Sequence, residues 1–334
     1  RLDKVAIAET FGRIVQLILV WFFIKKQLNF FWIVSALTLG GLANFIWIAL
    51  EAGRWIKWQW QIDINFWWQS IKQALPLGLA AIFTMIYFSF DTLILSLWQP
   101  AAVVGAYRLS YKVLESLIFF PAMFSGLIMP FLSQSAGFDN QRFCQILQNG
   151  QKVLLIFAVP LVLGTFILSP QVIDLLGGGN YPEAAAILNI LIVATGIIFL
   201  STLYSYALIA LGKQKVILKI SLVAAIFSLA FNLIFVPFWS YWATAISHVL
   251  VEFFVMMAMF LFLAKDFKFY TSFLNFGLKC LAAALPMMMI LWWCRGQNIF
   301  LLMILAVVFY FGLLYLFKVF SFREIFLLIK KTSI

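Results

Sequence analysis

From about residue 5 to residue 318 the chain is a succession of apolar blocks, each near the length of one bilayer crossing, and Lys and Arg cluster in alternate gaps between them. A hydrocarbon core of about 30 Å takes roughly 20 apolar residues in a helix. Helices and closed barrels are the only structures that satisfy every backbone N–H and C=O there. The expected fold is therefore all-α, a polytopic transmembrane helical bundle. About ten spans can be drawn, at roughly 6–24, 29–50, 72–97, 103–132, 151–169, 184–211, 216–237, 240–264, 273–294 and 298–317.

Composition excludes a water-soluble fold: 65% of residues are hydrophobic and 10% charged, against roughly a quarter charged in soluble domains. The net charge of +11 does not point to nucleic acid, because the basic residues lie between spans and not on one amphipathic face. They read as topology signals. One set of gaps holds Arg54 and Lys57 with Lys72, then Arg142 and Lys152, then Lys213, Lys215 and Lys219, then Lys265 and Lys268, and the tail adds Lys318, Arg323, Lys330 and Lys331. The alternate gaps, residues 98–102, 170–183 and 237–240, contain no Lys or Arg. The positive-inside rule then places both termini in the cytoplasm, with Lys25, Lys26 and Arg295 as exceptions.

Residues 51–71 and 135–150 alternate apolar and polar side chains, as in Trp55, Trp58, Trp60 and Phe143, Ile146, Leu147, and read as interfacial segments on the cytoplasmic side. The tail repeats the pattern with Phe320, Ile325 and Leu328. No gap approaches the ~50 residues of a small soluble domain, so the activity is expected within the bilayer. The chain opens Arg1-Leu2-Asp3-Lys4 without Met, which reads as a truncated reading frame.

Several chemistries lack their parts. Cys144, Cys280 and Cys294 share no metal-ligand or CxxC spacing, and His248 is the single histidine, so no metal site or cofactor is expected. Gly177, Gly178 and Gly179 precede Asn180-Tyr181 and not a phosphate-binding Lys, so there is no P-loop. What remains is the binding and movement of a substrate, or acid/base chemistry embedded in the membrane.

A charge in the hydrocarbon core costs about 2.5–3.5 kcal/mol, so charges inside spans are read as paired or facing water. Glu9 and Arg13 stand four apart on the first span, in the order that favours an ion pair. Asp91 near the end of the third span and Arg108 near the start of the fourth fall at similar depth, a geometry open to a pair between them. Lys112 and Glu115 share a helical face with Arg108, alongside Tyr111. Thr244, His248 and Glu252 recur every four residues in the eighth span, a polar stripe that either joins imidazole to carboxylate or relays protons. Ser201, Tyr204, Ser205 and Asn232 read as interhelical hydrogen-bonding groups. Pro76, Pro121, Pro160 and Pro286 read as kinks.

Read in order, the segments Ala74-Leu75-Pro76-Leu77 with Tyr87 to Asp91, Val104-Gly105-Ala106-Tyr107-Arg108 with Leu114-Glu115, Met129-Pro130, Gly179-Asn180-Tyr181 with Ala184-Ala185-Ala186, Ala210-Leu211-Gly212-Lys213 and Asn232-Leu233 before Pro237 resemble the polysaccharide-unit, or O-antigen type, flippases. These belong to the superfamily that includes multidrug exporters and the lipid II flippase. The resemblance implies that these spans are the last ten of a fourteen-span, two-lobed exporter in a bacterial cytoplasmic membrane. It divides the chain into residues 1–50, the end of the first lobe; 51–71, a cytoplasmic linker; 72–264, a six-helix second lobe; and 265–334, two further spans and an amphipathic tail. It implies an undecaprenyl-pyrophosphate-linked oligosaccharide moved by alternating access, with a polysaccharide polymerase and other glycan-assembly proteins as candidate partners and the coupling ion open.

On that resemblance, Arg108 and Lys112 are candidates for binding the anionic headgroup, with Asp91, Glu115, Arg13 and Tyr111 around them. Glu9, His248 and Glu252 are candidates for coupling or gating. The intramembrane charges sum to three cations against four anions, so the anionic substrate is implied by the resemblance and not by the charge balance. The alternatives are a multidrug exporter of the same fold and a membrane-embedded oligosaccharide polymerase or glycosyltransferase. The latter is disfavoured by the short outer gaps.

Overall fold

The computed structural model describes residues 2–54, 63–267 and 273–317. Ten helices follow in order: α1 (Leu2–Lys25), α2 (Phe30–Gly53), α3 (Ile64–Trp98), α4 (Ala101–Leu117), α5 (Phe119–Ser135), α6 (Asn140–Gly177), α7 (Ala184–Ala210), α8 (Gln214–Asp266), α9 (Phe273–Trp293) and α10 (Ile299–Leu316). Among the described residues nine stretches are long and apolar enough to cross a membrane, with α4 and α5 together forming one of them. Trp55, Lys57, Trp58, Trp60, Lys268 and the tail from Lys318 lie outside the described residues.

The 53 residues of α8 would span about 80 Å if straight. They do not run straight: Ser240 has φ 51 and ψ −137, and Asn232 Nδ2 donates to Ser247 Oγ at 3.0 Å. Fifteen residues of straight helix would separate that pair by about 22 Å. The chain folds back at Ser240, beyond Pro237, and α8 makes two crossings, which brings the total to ten.

One expected kink divides a span, and one expected interfacial segment is continuous with the next helix. The span over Ala101–Ser135 divides at Ile118, because Pro121 has no N–H to give the carbonyl of Leu117 and its ring clashes with that carbonyl. Residues 140–150 are not an interfacial segment. Asp139 caps α6 by accepting from Arg142 N at 2.9 Å, and the helix runs from there without interruption. Its Phe143 and Leu147 are fully buried, with the Phe143 ring 4.8 Å from that of Phe267. The apolar face that suggested a membrane surface packs on the end of α8. The linker also narrows, since α2 continues to Gly53 and α3 starts at Ile64.

The chain divides into two compact units, Arg1–Gln69 and Ser70–Ile334. In the first, α1 and α2 form an antiparallel hairpin whose backbones nearly touch. A Cβ on Gly12 would stand 2.9 Å from the Gly40 carbonyl, and one on Gly40 would stand 2.8 Å from Gln16 Cβ. Lys4 Nζ meets Glu51 Oε1 at 3.1 Å near the hairpin's open end.

In the second unit α7 is the central helix, packed on α4, α5, α6 and α8. It is apolar around its whole circumference, as a helix buried on all sides must be. A Schellman turn ends it: Gly212, at φ 70, donates to Ile209 O and Lys213 N donates to Leu208 O, both at 2.9 Å. Outward-facing Leu93, Leu97, Leu127, Ile226 and Leu233 are exposed, as lipid-facing positions are.

Candidate functional site

Helix α4 presents two contrasting faces. Tyr107, Tyr111 and Leu114, at i, i+4 and i+7, are at most 1% exposed and point into the unit. Arg108, Lys112 and Glu115 follow each of them by one residue, a rotation of about 100°, and stay open.

On the open face Glu115 is the shared acceptor. Lys112 Nζ donates to its Oε2 at 3.0 Å, and Arg108 Nη2 lies 3.9 Å from its Oε1. The Arg108 guanidinium sits 5.4 Å from the centroid of the Tyr111 ring. Side-chain exposure is 46% for Arg108, 73% for Lys112 and 34% for Glu115, so both cations keep donors free. Arg108 stands about 10 Å along the axis from the start of α4, on a stretch long and apolar enough to cross a membrane.

The inner face joins Asp91 of α3 to α8. The Tyr107 hydroxyl donates to Asp91 Oδ2 at 2.6 Å, and Thr92 donates to Oδ1 from its backbone N–H and, at 3.1 Å, from its hydroxyl. His248 Nδ1 stands 3.7 Å from Asp91 Oδ2. The imidazole is held edge-on by Phe88 and Tyr111, with ring centroids at 5.1 and 5.6 Å. Tyr111 in turn donates to the Phe88 carbonyl at 2.7 Å, fastening α4 to α3. Asp91, His248 and Glu252 are 2%, 3% and 2% exposed.

Above and below His248 on α8, Thr244 and Glu252 extend the stripe into the same interior. Ser201 of α7 donates to Glu252 Oε2 at 3.5 Å, and the Tyr87 phenol lies beside that carboxylate. Thr244 Oγ1, His248 Nε2 and Glu252 Oε1 are buried and find no hydrogen-bond partner among the described residues. These three buried polar atoms lie on one stripe in the bundle interior.

Three expected pairings are replaced. Asp91 joins Tyr107 and His248, and Arg108 joins Glu115, because Tyr107 and not Arg108 is turned toward α3. His248 faces Asp91 of α3 and not Glu252, while Glu252 meets Ser201 of α7 and the Tyr87 phenol of α3. Arg13 reaches Gln16 at 3.4 Å, and both Glu9 and Arg13 are exposed on α1.

Tyr107 and Phe88 fall within segments that carry the family resemblance but were given no site role, and Thr92 was not singled out from sequence. Only the i, i+4 repeat of Tyr107 and Tyr111 hinted at an inward aromatic face. The interhelical hydrogen-bonding role holds for Tyr204, whose hydroxyl accepts from Gln151 at 2.7 Å, and for Asn232 through Ser247. No group of three or more His, Cys, Asp or Glu able to hold a metal occurs among the described residues.

Comparison with known proteins gives three matches. Residues 76–234 match the MatE family model, a range that takes in Asp91, Arg108, Tyr111, Lys112 and Glu115. A putative O-antigen transporter of Shigella dysenteriae is 24% identical over 264 residues, 78% of this chain and 65% of that protein. The chain thus spans less than two thirds of the length of that curated relative. The structure of lipid II flippase MurJ in an inward closed conformation superposes with a TM-score of 0.73 at 15% identity, over 96% of this chain and 68% of that one, a likeness of fold. The chain is a multi-pass membrane protein with a MurJ-like fold, and its residues 76–234 are similar to the MatE family.

Proposed function

We propose that this protein is part of a flippase that moves an undecaprenyl-pyrophosphate-linked oligosaccharide across the bacterial cytoplasmic membrane by alternating access, for assembly of a surface polysaccharide. The observation that carries this reading is the open face of α4. A guanidinium and an ammonium there are 46% and 73% exposed on a stretch long and apolar enough to cross a membrane, where contact with hydrocarbon would cost each about 2.5–3.5 kcal/mol. Such a face needs water or an anion against it. The one carboxylate on it is already held by two cations, which favours an anionic headgroup over the cationic drugs of a multidrug exporter.

In this reading Arg108 and Lys112 hold the pyrophosphate, Tyr111 and Glu115 set the Arg108 geometry, and Asp91 anchors the helix that presents them. The buried His248 and Asp91 pair, with Glu252 one turn away, supplies the coupling step through a proton taken up or released as the lobe changes state. Arg13 and Glu9 contribute substrate contact and gating from the first lobe. Residues 1–50 close that lobe, 72–264 form the second, and 265–334 lie outside both. Both termini are cytoplasmic, and the polymerase that consumes the flipped unit is a partner.

The test is Arg108→Ala in the intact gene product, with surface glycan and protein level measured together. Loss of glycan at normal protein level is expected. Unchanged export removes Arg108 from the substrate path.

A further inference from the structure

A cleft of about 310 Å³ opens between the last turns of α6 and the start of α7. The connection that forms it carries Asp174 and Glu183 and no Lys or Arg. Pro170, Pro182 and Ala185 line it with aliphatic surface, and Gln171, Asp174 and Tyr181 supply its polar groups.

Those groups are held in place and are biased toward accepting hydrogen bonds. The Gln171 amide is anchored by its Nε2, which donates to the Arg295 carbonyl, while its Oε1, set into the wall, meets no donor among the described residues. Asp174 is held against the glycine turn that ends α6: a Cβ on Gly179, at φ +76, would come within 3.3 Å of Asp174 Oδ1. The Tyr181 ring is seated on Gly105 and Gly177, where added Cβ atoms would lie 3.2 and 3.1 Å away. The Asp174 carboxylate, with no cation in the lining, disfavours a phosphate and calls for a ligand that donates, while the Tyr181 phenol donates or accepts. The aliphatic walls match the C–H faces of a sugar ring, and the volume lies at the lower end of ligand pockets, which run from about 300 Å³ upward.

Gly105, against which Tyr181 packs, precedes Arg108 by three residues, about 4.5 Å along α4. The ring that lines the cleft thus packs on α4 less than one turn from Arg108. We propose that this cleft is a sugar subsite, binding the hydroxyl groups of a neutral sugar ring of the carried oligosaccharide through Asp174 and Tyr181. The assignment of that ring to a lipid-linked oligosaccharide rests on the flippase reading; the donor-seeking chemistry of the cleft does not.

Saturation-transfer NMR on the intact protein in lipid nanodiscs tests it, with methyl glycosides of neutral hexoses as probes and choline and inorganic pyrophosphate as competing chemistries. Transfer to a methyl glycoside is expected, with a Kd at least about tenfold weaker in Asp174→Asn, equivalent to about 1.4 kcal/mol. Tyr181→Phe keeps the ring on its two glycines and should weaken binding as well, while Glu183→Gln, outside the lining, should not. No transfer to any glycoside, equal Kd in wild type, Asp174→Asn and Tyr181→Phe, or binding of choline or pyrophosphate instead each overturns the subsite. Because glycoside binding is read without transport, glycan export that survives Arg108→Ala alongside intact glycoside binding sinks the headgroup assignment and leaves the cleft standing.

Discussion

Arg108, Lys112 and Glu115 keep between 34% and 73% of their side-chain surface open, whereas Asp91, His248 and Glu252, gathered in the interior that the other face of α4 helps to line, are at most 3% exposed. Both sets are charged or titratable and both lie on membrane-spanning helices, yet their energetics differ. Exposed ion pairs contribute about 0–1 kcal/mol, since water competes for both partners. Removing one member of a buried pair costs about 3–5 kcal/mol, because the other is stranded without solvent. The open face is thus free to serve a ligand at little cost to folding, while the interior cluster ties fold and function together.

The sharpest way to break this contrast is Asp91→Ala. It strands the Tyr107 hydroxyl and His248 together, and a loss of about 3–5 kcal/mol is expected, read as reduced protein level and a lower Tm in detergent. Tyr107→Phe keeps the ring and removes the donor to Asp91, for an expected cost of about 1.5–3 kcal/mol by the same readouts. Arg108→Ala should leave stability within about 0.5 kcal/mol of wild type while slowing glycan export at least about tenfold, equivalent to 1.4 kcal/mol. Arg108→Lys should restore part of that rate, since an ammonium keeps the charge but loses the fork of donors. The smallest effect belongs to Glu115→Gln, within about 1 kcal/mol on stability. By releasing both cations it should lower, not raise, the apparent KM for an anionic substrate.

The spans were legible in the sequence because hydropathy over about 20 residues is a one-dimensional quantity. The drawn gap at residues 237–240 coincides with the reversal at Ser240, where Pro237 and Ser240 interrupt the apolar run. What could not be read was azimuth. Asp91, Tyr107 and Arg108 are correctly placed in depth by counting along two helices, but only the packed rotation of α4 decides that Tyr107 and not Arg108 reaches the carboxylate. The same limit applies to His248, whose i, i+4 relation to Glu252 defines a stripe without saying which neighbour each residue meets. The buried start of α6 was misassigned because Phe143 and Leu147 have the amphipathic spacing of a surface helix, and their burial depends on Phe267, more than a hundred residues later. The cleft beside Tyr181 was likewise invisible, since it depends on Gly105 of a different helix.

The most direct test of the central claim is translocation of a fluorescent undecaprenyl-pyrophosphate-linked oligosaccharide in proteoliposomes containing the intact protein. The account predicts transfer between leaflets with the wild type, slowed at least about tenfold by Arg108→Ala at unchanged Tm. Equal rates for the two proteins, or no glycolipid transfer from vesicles that export a cationic dye, would contradict it.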